Sequence, residues 1–215
     1  MMVNCISFDF DGTICDTQNA IFKTLCCLFP SKNDNEILHS ISKGLSLKAT
    51  LVELSSENVT DNEINMLELL YRTRYNNYFF KYQSLYPYVE ETIKELHGMG
   101  VLLIVVSNKG EGSIYNFLSE SNLLPFISLI VGSRDDVQPK PSIEPWVKII
   151  QKRFPELSLS DVLHVGDTES DIEYANNLNI PCAYMTYGFG KPPSELKIKP
   201  DFILSDFNSI LEIIH

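Results

Sequence analysis

The feature that most constrains this chain is a regular alternation after Pro87: short continuous apolar runs separated by stretches with helical spacing. The runs predict strands at residues 101–106, 127–131, 162–165, 182–185 and 202–204. Helices are expected at about 88–98, 111–120, 142–153, 169–178 and 207–214, with Gly98 and Gly100 ending the first of them. Strands that are apolar throughout, alternating with helices, make a parallel sheet covered on both faces. Right-handed crossovers then give a doubly wound, Rossmann-like α/β fold that binds ligands at the carboxyl ends of its strands. The apolar run at 3–8 reads as a buried strand, broken by Asp9-Phe10-Asp11-Gly12-Thr13.

Between residues 16 and 83 the texture changes. Polar residues dominate, apolar ones recur at helical spacing, and Gly44 is the single glycine. Within 63–80, Ile64, Leu67, Leu70, Tyr71, Tyr75 and Tyr78 form a helical stripe, read as a packing face. The expected division is a Rossmann-like core of residues 1–15 and 84–215 with an all-helical insert at 16–83.

Composition narrows the partners. A net charge of −11 argues against a nucleic acid backbone or an anionic membrane, both of which need surplus Lys and Arg. Five cysteines without a Cys-x-x-Cys pair suggest reduced thiols, and no basic leader or membrane-length apolar run is evident, so a cytoplasmic location is expected.

Four polar clusters fall at or after the carboxyl ends of the expected strands: Asp9 to Thr13, Ser107-Asn108-Lys109, Lys140-Pro141, and Gly166 to Asp171. Asp9 and Asp11, two residues apart on extended backbone, can face one ligand. Two carboxylates that close require a cation or a proton between them; an Asp-rich turn closing a strand is the plain alternative. An EF-hand loop fits poorly, because Gly12 falls at the fourth loop position and not the sixth. Asp167 and Asp171 suit either the capping of a helix starting near Thr168, with Asp167 at the N-cap, or hard-oxygen ligation of Mg2+. Ser107 and the amides after it can grip phosphoryl oxygens or cap a helix. Lys140, in Gln-Pro-Lys-Pro, has stiff flanks that aim its ammonium.

In order, Asp-x-Asp-Gly-Thr, Ser-Asn-Lys, Lys-Pro and Gly-Asp-x-x-x-Asp resemble the haloacid dehalogenase-like hydrolase superfamily. The resemblance is to its phosphoglycolate-phosphatase-like and β-phosphoglucomutase-like branch, and it spans essentially the whole chain, with the insert as a helical cap. It implies a Mg2+-dependent phosphatase acting on a small phosphorylated metabolite as a monomer or homodimer, without nucleic acid or membrane partners. By that resemblance Asp9 is the nucleophile and forms an aspartyl-phosphate. Asp11 is the acid that protonates the leaving oxygen and later activates water. Ser107, Asn108 and Lys140 bind the phosphoryl group. The Asp9 and Asp167 carboxylates and the Asp11 carbonyl ligate Mg2+, with Thr13 and Asp171 in support. Asp11 also separates the chain from the dehalogenases proper, which lack that second Asp.

Two departures stand out. The Pro-Gly-Val turn common in the family becomes Pro87-Tyr88-Val89, and Lys-Pro-x-Pro becomes Lys140-Pro141-Ser142-Ile143, so altered loop shapes are expected. Asp16 and Thr17 are expected to cap the first cap helix. In the cap, Lys43, Gly44, Ser46 and Lys48 are candidates for contact with an anionic substrate, or else a helix connection with solvated lysines. That loop motivates an alternative sugar phosphomutase; a catalytically idle binding protein on the same scaffold is the alternative of a different class.

Overall fold

The computed structural model describes residues 3–55 and 58–214. The chain enters through β1 (Cys5–Phe8), buried along its whole length, and after the Asp9–Thr13 segment forms a two-residue strand, β2 (Cys15–Asp16). Four helices follow: α1 (Gln18–Leu28), α2 (Asp34–Ile41), α3 (Leu47–Leu54) and α4 (Asp61–Arg74). The returning strand β3 (Ser84–Leu85) pairs antiparallel with β2, so the insert leaves and re-enters through one narrow neck. The rest alternates: α5 (Val89–Gly98), β4 (Leu102–Gly110), α6 (Glu111–Glu120), β5 (Leu129–Ser133), α7 (Gln151–Arg153), β6 (Val162–Gly166), α8 (Glu169–Leu178), β7 (Cys182–Met185), β8 (Phe202–Leu204) and α9 (Ile210–Ile213).

Six strands form one parallel sheet in the order β5-β4-β1-β6-β7-β8. The chain winds outward from β1 to β5, then crosses back for β6, β7 and β8. Strand order therefore reverses beside β1, the place where doubly wound sheets open a ligand crevice. Each sheet face has its own apolar cluster, one around Phe8, Phe10 and Phe207, the other around Trp146, Ile172 and Tyr174. The cap has a third, built on Leu25, Phe29, Ile37, Leu51 and Ile64. Each such buried side chain is worth about 1.5–3 kcal/mol, which lets the cap hold together around its own centre.

Some boundaries differ from the sequence reading, for local reasons. The strand expected at 101–106 runs on to Gly110, because four steps from Val106 to Gly110 oppose only two on β5, from Val131 to Ser133. This bulge carries Ser107, Asn108 and Lys109 out of the ladder. The strand expected at 127–131 starts at Leu129, since Ile127 closes a 3-10 turn by donating to Leu124 O. The helix expected from 142 starts with Pro145 at its first position, in a π-helical turn (Pro145–Ile150) that runs into α7. The stripe at 63–80 splits: α4 starts earlier, at a Thr60–Glu63 capping box, and beyond Arg74 a π-turn (Tyr75–Phe79) takes over. The missing glycine before α5 is visible as backbone strain, because Tyr88 occupies that corner at φ 67°. A left-handed conformation costs a non-glycine residue roughly 1–2 kcal/mol.

Candidate active site

The four polar clusters converge on the carboxyl edge of β1, β4 and β6. Asp9 extends β1 by one hydrogen bond, its N–H donating to Val165 O at 2.8 Å. Gly12, at φ 87°, then folds the segment back, and the Asp167 carboxylate fills the space that a Cβ on Gly12 would need. The β4 bulge delivers Ser107, and the turn after Gly166 delivers Asp167 as the chain enters α8. Thr168, not Asp167, takes the N-cap of α8; Asp167 lies one residue outside the helix, which leaves its side chain directed at Asp9.

Carboxylate oxygens of Asp9, Asp167 and Asp171 lie within 4.8 Å of one another, and all three residues are buried. One cation serves two of them: Lys140 Nζ is 2.9 Å from Asp9 Oδ1 and 2.5 Å from Asp171 Oδ1. Asp171 is fully occupied. Its Oδ1 also meets His164 Nε2 at 3.1 Å, and its Oδ2 accepts the Thr168 N–H at 3.0 Å and the Thr168 hydroxyl at 2.7 Å. Burial opposes the charge on Asp171, but Lys140 and His164 outweigh it and hold the carboxyl well below its usual range. Burial likewise opposes the charge on Lys140, and Asp171 and Asp9 outweigh that in turn, raising it above the ordinary lysine value. Burial lowers His164, which is therefore neutral near pH 7. With the ring proton on Nε2 facing Asp171, Nδ1 accepts from the Ser7 hydroxyl at 2.8 Å. Ser7 and His164 thus brace Asp171 from behind the sheet edge, a structural use of a strand histidine.

Asp9 and Asp167 are under-compensated. Burial, only partly offset by Lys140, raises Asp9 from 3.8 to about 6. Asp167 is raised well above 3.8 by burial and by the charges of Asp171 and Asp9. It accepts the Thr13 hydroxyl at 2.9 Å and the Phe189 N–H at 2.7 Å, and among the described residues no cationic side chain pairs with it. Two buried carboxylates facing each other, short of positive charge, with oxygens only, are the donor set a hard divalent cation takes. The Asp9 and Asp167 carboxylates fit that role; Asp171, already saturated, does not.

Asp11 faces the cap. Its Oδ1 accepts from the Thr17 hydroxyl at 2.6 Å and from Lys109 Nζ at 3.0 Å. Thr17 was expected to cap α1; it holds the N-cap position, but its side chain is spent on Asp11. Lys109 Nζ also reaches the Tyr75 hydroxyl at 3.0 Å and lies over that ring. Burial opposes its charge, and Asp11, Tyr75 and Tyr71 outweigh the cost and raise it. In the sequence Lys109 stands beside Ser107 and Asn108 with no evident task, and Tyr75 falls in the helical packing stripe. That stripe is mixed: Tyr75 turns into the site, while Leu70 and Tyr78 are exposed.

Ser107 is buried in the cavity wall, its hydroxyl accepting the Lys109 N–H at 3.3 Å. Asn108, expected beside the phosphoryl group, spends its amide elsewhere. Its Oδ1 accepts the Lys140 N–H at 2.9 Å, and its Nδ2 donates to Lys140 O at 3.1 Å and to Gly44 O at 3.0 Å. It clamps the Lys140 backbone and ties it to the cap. Of the cap candidates, Gly44 touches the core and lines the cavity, tight against the Thr168 side chain. Lys43 and Ser46 do not line it: Lys43 pairs with Glu53 at 2.5 Å, and Ser46 caps α3 by accepting the Ala49 N–H. Lys48 is 3.7 Å from Asp61, both largely exposed. Lys43→Ala is therefore expected to leave kcat/KM within about twofold of wild type, as for other exposed ion pairs; steady-state assays check this.

A cavity of about 940 Å³ lies between core and cap, bounded by Asp9, Ser107 and Lys140 below and by Leu45, Arg72 and Tyr75 above. Residues 6–185 match the family model described as haloacid dehalogenase-like hydrolase. The chain belongs to the haloacid dehalogenase-like hydrolases. Among relatives in this family, the phosphoglycolate phosphatase of Vibrio cholerae is 25% identical over 223 residues, covering 99% of this chain and 97% of that protein. The phosphoglycolate phosphatase of Salmonella typhimurium is also 25% identical, covering 96% and 90%. The crystal structure of a protein assigned as a haloacid dehalogenase-like hydrolase from Bacteroides fragilis superposes with a TM-score of 0.86 at 21% identity, covering 97% and 99% of the two chains. Within the haloacid dehalogenase-like fold the architecture is thus the α/β core with a helical cap expected from the sequence. Among the described residues no helix is long and apolar enough to cross a membrane.

Proposed function

We propose that this hydrolase is a Mg2+-dependent phosphatase that acts on a small phosphorylated metabolite through an aspartyl-phosphate on Asp9. The observation that carries the reading is the buried group of Asp9, Lys140 and Asp167, with Asp9 and Lys140 lining the cavity and one lysine for too many carboxylates. In this reading residues 16–83 are a lid over the core of residues 1–15 and 84–215. Phosphoglycolate, named by the relatives, is the first substrate to try, and small phosphorylated carboxylic acids are its class.

A free Asp9 oxygen attacks phosphorus as the bond to the leaving oxygen breaks, and Asp11 gives that oxygen its proton. In the second step Asp11 takes a proton from water. The water oxygen bonds to phosphorus, the Asp9–phosphorus bond breaks, and phosphate leaves. Ser107 and the amides of the bulge hold phosphoryl oxygens, and Lys140 neutralises them. Mg2+, when bound by Asp9, Asp167 and the Asp11 carbonyl, supplies further positive charge to those oxygens and to the attacking carboxylate. Lys140 is positioned for this by Asn108 through its backbone and by Asp171 through its ammonium.

Release of inorganic phosphate from phosphoglycolate and p-nitrophenyl phosphate by purified protein tests the proposal. Formation of a sugar-phosphate isomer without net phosphate release would overturn it. The lysines that motivated a mutase are paired within the cap, so no geometric feature favours that alternative.

The metal prediction has a defined pH dependence. A carboxyl whose folded value is raised costs the fold stability as pH climbs from its unfolded value through the folded one. For Asp9 that window runs from 3.8 to about 6. A divalent cation binds the deprotonated form and removes that cost. The increase in Tm given by Mg2+ is therefore expected to be small at pH 5 and to grow by pH 7, and EDTA should silence turnover reversibly. Scanning calorimetry with and without Mg2+ at both pH values checks it; a stabilisation that shrinks as pH rises would count against Asp9 as a ligand.

A further inference from the structure

We propose that Phe189 is a positioning residue that links closure of the cap to the orientation of the metal-binding carboxylate Asp167; the inference rests on the metal reading above. Phe189 belongs to the core by sequence, in the loop after β7, yet it is buried as a member of the cap's apolar cluster, which also holds Leu25, Phe29, Ile37 and Ile41. Its backbone N–H meanwhile donates to Asp167 Oδ2 at 2.7 Å. One residue is thus held by the cap at its side chain and holds Asp167 at its main chain.

The loop is shaped so that this amide cannot shift independently of Asp167. The flanking Gly188 and Gly190 press against Asp167 so closely that neither leaves space for a Cβ. On one side the Tyr184 hydroxyl donates to Lys191 O at 2.8 Å; on the other the Tyr187 hydroxyl donates to Thr13 O at 2.8 Å. Thr13 is the residue whose hydroxyl donates to the other Asp167 oxygen. When the cap docks, the Phe189 ring gains an apolar seat and its amide is set against Oδ2. When the cap swings away, that seat is lost and the apex of the loop is released. Partners that orient a ligating group commonly contribute tenfold or more to metal affinity. Because coupling is reciprocal, bound metal favours the docked cap by the same factor that the docked cap favours metal.

Calorimetric titration of the metal-stripped full chain with Mg2+ tests this without relying on turnover. Phe189→Ala keeps the amide and removes the anchor; it is expected to raise the Mg2+ dissociation constant by roughly tenfold. Phe189→Leu, which keeps an apolar anchor, is expected to stay within about threefold of wild type. Ile41→Ala, in the cap's part of the same apolar cluster, should weaken binding in the same direction, and it carries the test if Phe189→Ala does not fold. Wild-type affinity in both Phe189→Ala and Ile41→Ala would overturn the link while leaving the phosphatase reading intact. A wild-type chain that takes up no divalent cation would overturn the metal reading, and this inference with it.

Discussion

Asp9→Asn is expected to lower kcat by at least about a thousandfold on any phosphate ester while the protein stays folded. The amide has the shape of the carboxylate and lacks its nucleophilic lone-pair charge. The fold should tolerate it, because Asp9 is held as a charged group only at a cost: burial raises it to about 6, and Lys140 offsets that cost only in part. Removing the charge relieves repulsion from Asp171 and Asp11 as well as losing attraction to Lys140, so the change in stability is a small difference of opposed effects. Steady-state phosphate release, with circular dichroism for the fold, makes the measurement. Intact-mass analysis after a rapid acid quench adds a direct view, since the phosphorylated chain expected for wild type should be missing from the variant. Retention of ordinary turnover would remove Asp9 from its role.

Lys140→Met is expected to damage both stability and activity. Methionine fills similar volume but leaves Asp9 and Asp171 buried and facing each other with no cation between them. Breaking a buried pair this way commonly costs about 3–5 kcal/mol, and the loss of phosphoryl neutralisation should lower kcat by about a hundredfold or more. The pH dependence follows from Asp171, whose carboxyl Lys140 helps hold below the usual range. A lowered acid contributes stability that is present above its unfolded value, near 3.8, and is lost as pH falls through the folded value. The stability gap between wild type and variant should therefore be widest near neutral pH and should narrow below pH 4. Urea melts at pH 7 and pH 3.5 provide the comparison, and a gap that widens in acid would contradict the assigned pairing. Lys140→Arg is not a safe rescue, because a planar fork cannot share the compact position between two carboxylates that an ammonium takes.

Much of this arrangement was legible before any coordinates. Continuous apolar strands announced a parallel sheet, and a sheet of that kind puts loop residues on one edge, so Asp9, Ser107, Lys140 and Asp167 could be gathered from distant parts of the chain. What escaped was whatever depends on how two separately packed bodies meet. Asn108 follows Ser107 and was expected at the phosphoryl group, yet its side-chain amide is drawn off by the Lys140 backbone and Gly44, which leaves only its main-chain N–H for that task. Thr17 looked like a helix cap because it precedes α1, yet a nearby carboxylate competes successfully for its hydroxyl. Lys43 could have been a substrate contact or a surface lysine of a helix connection, and its pairing with Glu53 favours the second. Phe189 carried no signal, since an aromatic between two glycines reads as a turn until the cap is in view. Residue type gives each of these a short list of partners; only tertiary geometry ranks them.

The central position of β1 has a consequence for how the molecule comes into being. Its two neighbours in the sheet, Leu102–Gly110 and Val162–Gly166, are far along the chain from Cys5–Phe8. Until β4 and β6 have been made, β1 is a largely apolar strand with both edges unpaired, a state prone to wrong partners. Asp9, at the carboxyl end of β1, thus precedes most of its surroundings along the chain and gains them only after β4 and β6 are in place. An active centre of this topology is born late by construction, and chaperone demand should track the interval before residue 166 emerges.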